Sequence, residues 1–306
     1  MTAVLEVPTA LLPAEAYWSP SWFAAEQERL FARTWNLVGT EDDLAGGRAL
    51  VATVAGSTVV VEGTGGHLVA RQRSAPAAVD TWAGYVFVHL DPSGAPPLAQ
   101  WLGDFPDRIG GFRPDRLVEV ARHRFELAAN WKFFVENHID VYHLWYLHER
   151  SLGAYDHARA SWSTTGPHWV FYEPPRSGVD IHGEGFWRGL RPVHGIVEER
   201  WGSGAHLIWP NVTLATGAGF FMTYQCTPLG PARSLVDLRV RTEPGSDATE
   251  MVAMSRAVIE AEDGGVCERL QAGVRSPWFR VGPLARRHER PIVWFHERVL
   301  DTMELG

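Results

Sequence analysis

Asp140, His143 and His148 fall in an amphipathic segment that begins at Asn130, and their spacing limits how the backbone can run there. Asp140 and His143 are three residues apart, so on a helix they share one face. His143 and His148 are five apart, and at about 3.6 residues per turn they point to different faces. Both rings can reach one ion only where the helix ends or bulges between them, which predicts a break near Leu144 to Leu147. The residue types give such a break a purpose. Imidazole binds iron, zinc and copper, and two histidines with one carboxylate leave coordination positions open, as in non-haem Fe(II) oxygenases. The spacing alone equally fits two ordinary helix histidines, one buried and one solvated, in a chain that has 13 histidines.

Composition narrows the classes. A chain of 306 residues, 45% hydrophobic and 11% aromatic, has material for about two domains with sizeable cores. Its formal charge of −8, with the acids dispersed, argues against nucleic acid or an anionic membrane as partner. Cys226 and Cys267 are its two cysteines, too few for a disulfide framework, so a cytoplasmic setting is expected. The segment from Met1 to Pro20 contains Glu6 and Pro8 and no basic region, unlike a signal peptide, and no apolar run is long enough to span a bilayer.

Along the chain, alternating and β-branched residues predict paired strands over Val51 to Glu62, and Gly63-Thr64-Gly65-Gly66 is a turn. The turn-rich Asp91 to Pro97 marks a boundary between 1–97 and 98–306. A crossing stretch from Leu98 leads to a strand over Val118 to Leu127. Phe171 to Gly195, rich in Gly and Pro, reads as a long loop of the kind that forms lids. Strands follow at Gly204 to Trp209, Val212 to Ala215, Gly219 to Thr227 and Ser234 to Thr242. Asp247 with Glu250 predicts a capping box opening a last helical region, in which Gly264 and Gly265 signal close backbone approach or a break. Strands followed by helices fit an α+β fold.

The string N-W-K-x3-E-N-x2-D-x-Y-H-x4-H, ungapped from Asn130 to His148, resembles the catalytic-domain signature of Rieske-type non-haem iron oxygenases, the family of ring-hydroxylating and demethylating oxygenase alpha subunits. The resemblance implies a mononuclear Fe(II) held by His143 and His148, with Asn137 close to it and Asp140 connecting an incoming Rieske cluster to the metal. Glu262-Asp263 to Gln271 resembles the family's E-D-x4-E-x2-Q run, which makes Asp263 the third ligand; read alone, the same residues also fit a solvated helix end with a glycine cap. The fold implied is the helix-grip, an antiparallel sheet around long helices.

Family members also carry a Rieske [2Fe-2S] centre on a C-x-H … C-x2-H pattern upstream of the iron domain. Between Met1 and Arg122 this chain has His67 and His89 and no cysteine, so these residues cannot build the cluster. The outline of that domain persists. Trp22 to Trp35 resembles its opening helix, and the passage from His67-Leu68-Val69-Ala70 to Thr81 to Val88 resembles a version with both ligand loops excised, leaving a shortened β remnant around Arg71 to Asp80.

The resemblance therefore implies an oxygenase subunit, performing hydroxylation, of aromatic rings among others, or oxidative demethylation with O2. Its electrons would come from a separate Rieske-bearing subunit or ferredoxin fed by a reductase, in a hetero-oligomer for which a trimer-based assembly is one option. Two alternatives stand beside it: a non-catalytic companion subunit, and a stand-alone metal enzyme, either an Fe(II) oxidase or a hydrolase, since the same ligands bind zinc. Because ligand sites are mostly apolar, the pocket candidates are Trp187, Trp209, Phe220 and Tyr224, with Trp162, Trp169, Phe171 and Phe221 behind them. His168, His182, His194 and His206 are weaker candidates, read as solvated. Asp140 could also act by fixing a ligand histidine's tautomer.

Overall fold

The computed structural model describes residues 12–73, 75–148, 152–179, 187–196 and 203–304. It is an α+β fold with two antiparallel sheets. Among the described residues a 3-10 turn (Ala14–Tyr17) precedes α1 (Pro20–Arg29), which is opened by Ser19, whose hydroxyl accepts from the Trp22 amide, and by a proline at the first helical position. The helix expected over Trp22 to Trp35 thus starts earlier and stops at Arg29, followed by a 3-10 turn, Phe31–Arg33.

Six strands form the first sheet: β1 (Asn36–Thr40), β2 (Leu50–Val54), β3 (Ser57–Thr64), β4 (His67–Gln72), β5 (Ala75–Trp82) and β6 (Tyr85–His89), in the order β1-β6-β5-β4-β3-β2. β2 and β1 lie against each other, so this sheet nearly closes. The β3–β4 hairpin turns on Gly65 and Gly66, both at positive φ (61° and 84°), which a two-residue turn of matching twist requires. Two short helices, α2 (Leu98–Leu102) and α3 (Phe105–Arg108), lead out of it.

The second sheet has seven strands: β7 (Val118–Leu127), β8 (Ser161–Thr165), β9 (His168–Glu173), β10 (Ser203–Ile208), β11 (Val212–Gly217), β12 (Phe220–Gly230) and β13 (Arg233–Thr242), in the order β7-β13-β12-β11-β10-β9-β8. Between β7 and β8, α4 (Trp131–Ile139) lies across β10 and β12. After β13 come α5 (Thr249–Ala257), a π-helical turn (Val258–Gly264), α6 (Gly265–Val274) and α7 (Arg290–Glu304).

One apolar core joins α4, one side of the second sheet, α7 and the residues on either side of α1: Leu12, Tyr17, Phe31, Trp131 and Phe295 belong to it. A buried ion pair locks this contact. Lys132 Nζ donates to Glu26 Oε1 at 2.5 Å, both side chains fully buried, and Glu26 also accepts from the indoles of Trp22 and Trp131. Arg239 and Arg241, buried in β13, pair with Asp43 and Asp42 of the first sheet's side and with Glu119, so charge ties the two sheets together.

Three expectations are corrected. The loop read over Phe171 to Gly195 begins only after Glu173, because β9 continues to that residue in register with β10; residues 180–186 of it lie outside the described residues. No capping box forms at α5: Asp247 accepts from the Thr249 amide, but the helix is capped at Ala248 and Glu250 faces Arg188 at 3.8 Å. The break in the histidine segment falls before both histidines rather than at Leu144 to Leu147, for reasons given next.

Candidate metal centre

The start and end of α4 are set by its own side chains. Asn130 caps it, accepting from the Lys132 amide at 3.0 Å, donating from Nδ2 to the Pro231 carbonyl, and donating its backbone N–H to Gln271 Oε1 at 2.7 Å. At the other end Asp140 leaves helical geometry (φ −70°, ψ 112°), and its carboxylate accepts from the Tyr142 amide at 2.7 Å, a local turn that competes with the helix. The chain then re-enters a 3-10 turn at His143–Trp145. With the helix over by Asp140, helical spacing no longer separates His143 from His148, and their rings lie 5.0 Å apart at 70°.

Asp263 meets them from the π-helical turn between α5 and α6. One atom from each of His143, His148 and Asp263 fits within 4.8 Å of the others. Asp263 Oδ1 is 3.1 Å from His148 Nε2 and 3.9 Å from His143 Nε2. π-helical turns that interrupt helices are frequent at functional sites, and here the turn takes the place the glycine pair signalled. A Cβ on Gly264 would stand 2.9 Å from the Ile259 carbonyl oxygen, too close for any other residue without a backbone shift.

The remaining atoms orient these three. Carbonyls and carboxylates only accept, so His143 Nδ1 donates to the Asp140 carbonyl (2.6 Å) and His148 Nδ1 donates to Glu262 Oε2 (2.8 Å). Both rings therefore turn Nε2 toward Asp263, the tautomer and orientation that metal-binding histidines need. Asn137 Nδ2 donates to Asp263 Oδ1 at 2.8 Å and holds the carboxylate in place. Burial disfavours charge on His148 and Asp263, but their mutual hydrogen bond and attraction outweigh it. The His148 imidazole is held above its ordinary range, with help from Glu262, and the Asp263 carboxyl below its own. Glu262 was foreseen only as a neighbour of Asp263, and its hold on His148 is a function the sequence did not disclose.

A cavity of about 140 Å³ opens beside this cluster. Trp187, Phe220 and Tyr224 line it, as do Trp169 and Phe171, together with Tyr155, His138 and Glu173. Burial pushes His138 down to about 4, so it is a neutral wall residue that donates from Nε2 to the Leu214 carbonyl at 3.1 Å. Its floor is small: Ser203 and Ala205 of β10, and Ala215 of β11, which pairs with Ala205.

Trp209, Phe221 and Trp162 are not among its lining residues. Trp209 lies past the end of β10 and packs on Phe295 of α7 and under Arg298. Strand alternation turns Phe221 to the opposite side from Phe220, against Tyr85 and Phe112. Trp162 sits on the edge strand β8 and is 37% exposed. His168 and His206 are buried rather than solvated, His194 is exposed, and His182 lies outside the described residues.

Residues 114–305 match the family described as the ring hydroxylating alpha subunit, catalytic domain. The chain belongs to that family. Among relatives of this oxygenase family, the chloroplastic choline monooxygenase of Spinacia oleracea is 24% identical over 244 residues, 75% of this chain and 51% of the relative. The carnitine monooxygenase oxygenase subunit of Acinetobacter pittii is 23% identical over 225 residues, 67% of this chain and 54% of the relative. The chain thus spans about half the length of the curated relatives it matches. Among solved structures, a quaternary ammonium Rieske monooxygenase in complex with its substrate L-carnitine superposes with a TM-score of 0.79 at 19% identity, over 98% of this chain and 97% of that one. Naphthalene 1,2-dioxygenase from Rhodococcus sp., bound to indole, gives 0.71 at 16% identity, over 95% and 94%. The likenesses establish a Rieske-oxygenase fold. Among the described residues no helix is long and apolar enough to cross a membrane.

Proposed function

We propose that this chain is the iron-bearing subunit of a Rieske-type oxygenase system, oxidising a small organic molecule with O2 by hydroxylation or oxidative demethylation. The observation that carries the reading is the convergence of His143, His148 and Asp263 within 4.8 Å. Two imidazoles presenting Nε2 and one buried carboxylate are a donor set suited to Fe(II), with positions left for other ligands. Bound there, ferrous iron would supply dioxygen activation. The chain's own residues do the positioning. Asp140 and Glu262 fix the ring tautomers, Asn137 holds Asp263, and the aromatic walls keep bulk water from the substrate.

Electrons are proposed to come from outside. The first 122 residues hold no cysteine, and Cys226 and Cys267 are buried in the catalytic core, where burial pushes the Cys226 thiol up to about 12. Residues 1–97 are accordingly read as a Rieske-like domain reduced to its β framework, and 98–306 as a helix-grip catalytic domain. Asp140 is the proposed point of electron delivery. Next to it, Tyr142 and Tyr146 are exposed (40% and 71%), and His288 stacks on Tyr142 at 6.1 Å. His288 belongs to a segment, 275–290, with five arginines and one glutamate in a chain of net charge −8, which suits an acidic Rieske subunit or ferredoxin served in turn by a reductase. A cytoplasmic hetero-oligomer, with a trimer-based assembly as one option, is the setting proposed.

The test is reconstitution of the iron-loaded chain with a Rieske-bearing donor, reductase and O2. Turnover that requires the donor, and falls in Asp140→Asn while iron is retained, supports the reading. Turnover without any donor selects a stand-alone enzyme. Turnover of a partner complex that survives His143→Ala selects a companion subunit.

A further inference from the structure

Among the described residues a third carboxylate, besides Asp140 and Asp263, lines the cavity. Glu173 ends β9, where alternation turns Trp169, Phe171 and Glu173 to the cavity side and Val170 to the other. It is 4% exposed. Its Oε2 lies 2.5 Å from Nδ1 of His157, which is also buried. Nε2 of His157 has no hydrogen-bond partner among the described residues. A doubly protonated ring would bury an unanswered N–H, so the arrangement that satisfies the donors is a neutral ring giving its Nδ1 proton to Glu173. The carboxylate then keeps a full negative charge inside an apolar cavity.

Such a charge calls for a counter-charge. No lysine or arginine lines the cavity among the described residues. What surrounds it is aromatic. Trp169 and Phe171 stack at 5.6 Å, and Tyr155 and Trp187 meet edge to face at 5.4 Å. Aromatic faces attract alkylated ammonium groups, which cannot be satisfied by hydrogen bonds alone. Across the register, Ser203 pairs with Glu173 and Ala205 with Phe171, so the adjoining floor is low enough to admit a bulky head.

We propose that Glu173, oriented by His157, is the anchoring counter-charge for a cationic substrate, an alkylated ammonium compound seated among Tyr155, Trp169, Phe171 and Trp187. The assignment rests on the proposed oxygenase reading only in taking this cavity as the substrate site.

The test is binding to the purified chain, followed by calorimetry and by tryptophan fluorescence, since Trp169 and Trp187 line the cavity. The probes are tetramethylammonium, choline and the neutral isostere of choline in which carbon replaces nitrogen. Choline should bind about ten-fold or more tighter than its isostere. Glu173→Gln should remove about ten-fold of the choline affinity and change that of the isostere by less than about two-fold; Glu173→Asp, which keeps the charge, should retain the preference. Equal binding of choline and isostere to the native chain overturns the proposal without recourse to any variant. So does undiminished choline affinity in a folded Glu173→Gln protein, or no binding of either cation. Iron content measured on the same sample separates the two readings. Iron bound without cation preference rejects this inference alone, whereas cation preference without iron rejects the oxygenase reading and leaves this one standing.

Discussion

Replacing Glu262 by alanine removes the acceptor that holds the His148 ring with Nε2 toward Asp263. The bond removed is 2.8 Å long, and the Glu262 side chain is 34% exposed, so water can partly replace it. Partners of this kind typically contribute ten- to hundred-fold to metal affinity. With that exposure the low end applies: a loss of about ten-fold, or about 1.4 kcal/mol. Glu262→Gln should lose less, because its amide oxygen still accepts from Nδ1. His148→Ala, which removes the donor itself, should lose binding altogether. The assay is competition for metal against a chromogenic chelator, with circular dichroism to show that the π-helical turn and its flanking helices persist. An unchanged affinity in Glu262→Ala, or a larger loss in the glutamine variant than in the alanine variant, refutes the reasoning.

Two further outcomes concern stability. Lys132→Met should destabilise the fold by about 3–5 kcal/mol in urea denaturation, because Glu26 is left charged and fully buried. The double variant Lys132→Met with Glu26→Gln should recover part of that loss, since glutamine needs no counter-charge and still accepts an indole proton; a double variant less stable than the single one contradicts this. His168 and His206 are pushed by burial down to about 4 and about 3, against an unfolded value of about 6.5. Both are held neutral, so their contribution is complete above pH ~6.5 and is lost as pH falls toward those values, at about 1.4 kcal/mol per pH unit each. His206→Asn should flatten the decline in urea-derived stability between pH ~6 and ~4.5 by about that slope; an unaltered slope contradicts the assignment.

Much of this site was legible because its signals are local. The paired strands over Val51 to Glu62 and the Gly-Gly hairpin rest on residues close together in the sequence. The end of α4 was misplaced because spacing says that a break is needed but not where. The turn made by the Asp140 side chain, rather than helix propensity, decides the point. β9 escaped notice because both its faces are buried, one on the cavity and one on the core around Phe105 and Ile109, which erases the polar alternation that marks a strand. Trp209 could not be told from a pocket residue, since its neighbour Phe295 comes from the distant α7. Glu173 carried no sequence signal at all; its meaning comes from His157 and the rings that a folded sheet gathers around it.

The account turns on whether one chain grips one ferrous ion through His143, His148 and Asp263. Anaerobic titration of the metal-free chain with ferrous iron, repeated on His143→Ala, His148→Ala and Asp263→Ala, tests this most directly. The native chain should take up a single ion and each variant should lose it while keeping its fold. Native-like uptake by any of the three variants would contradict the account.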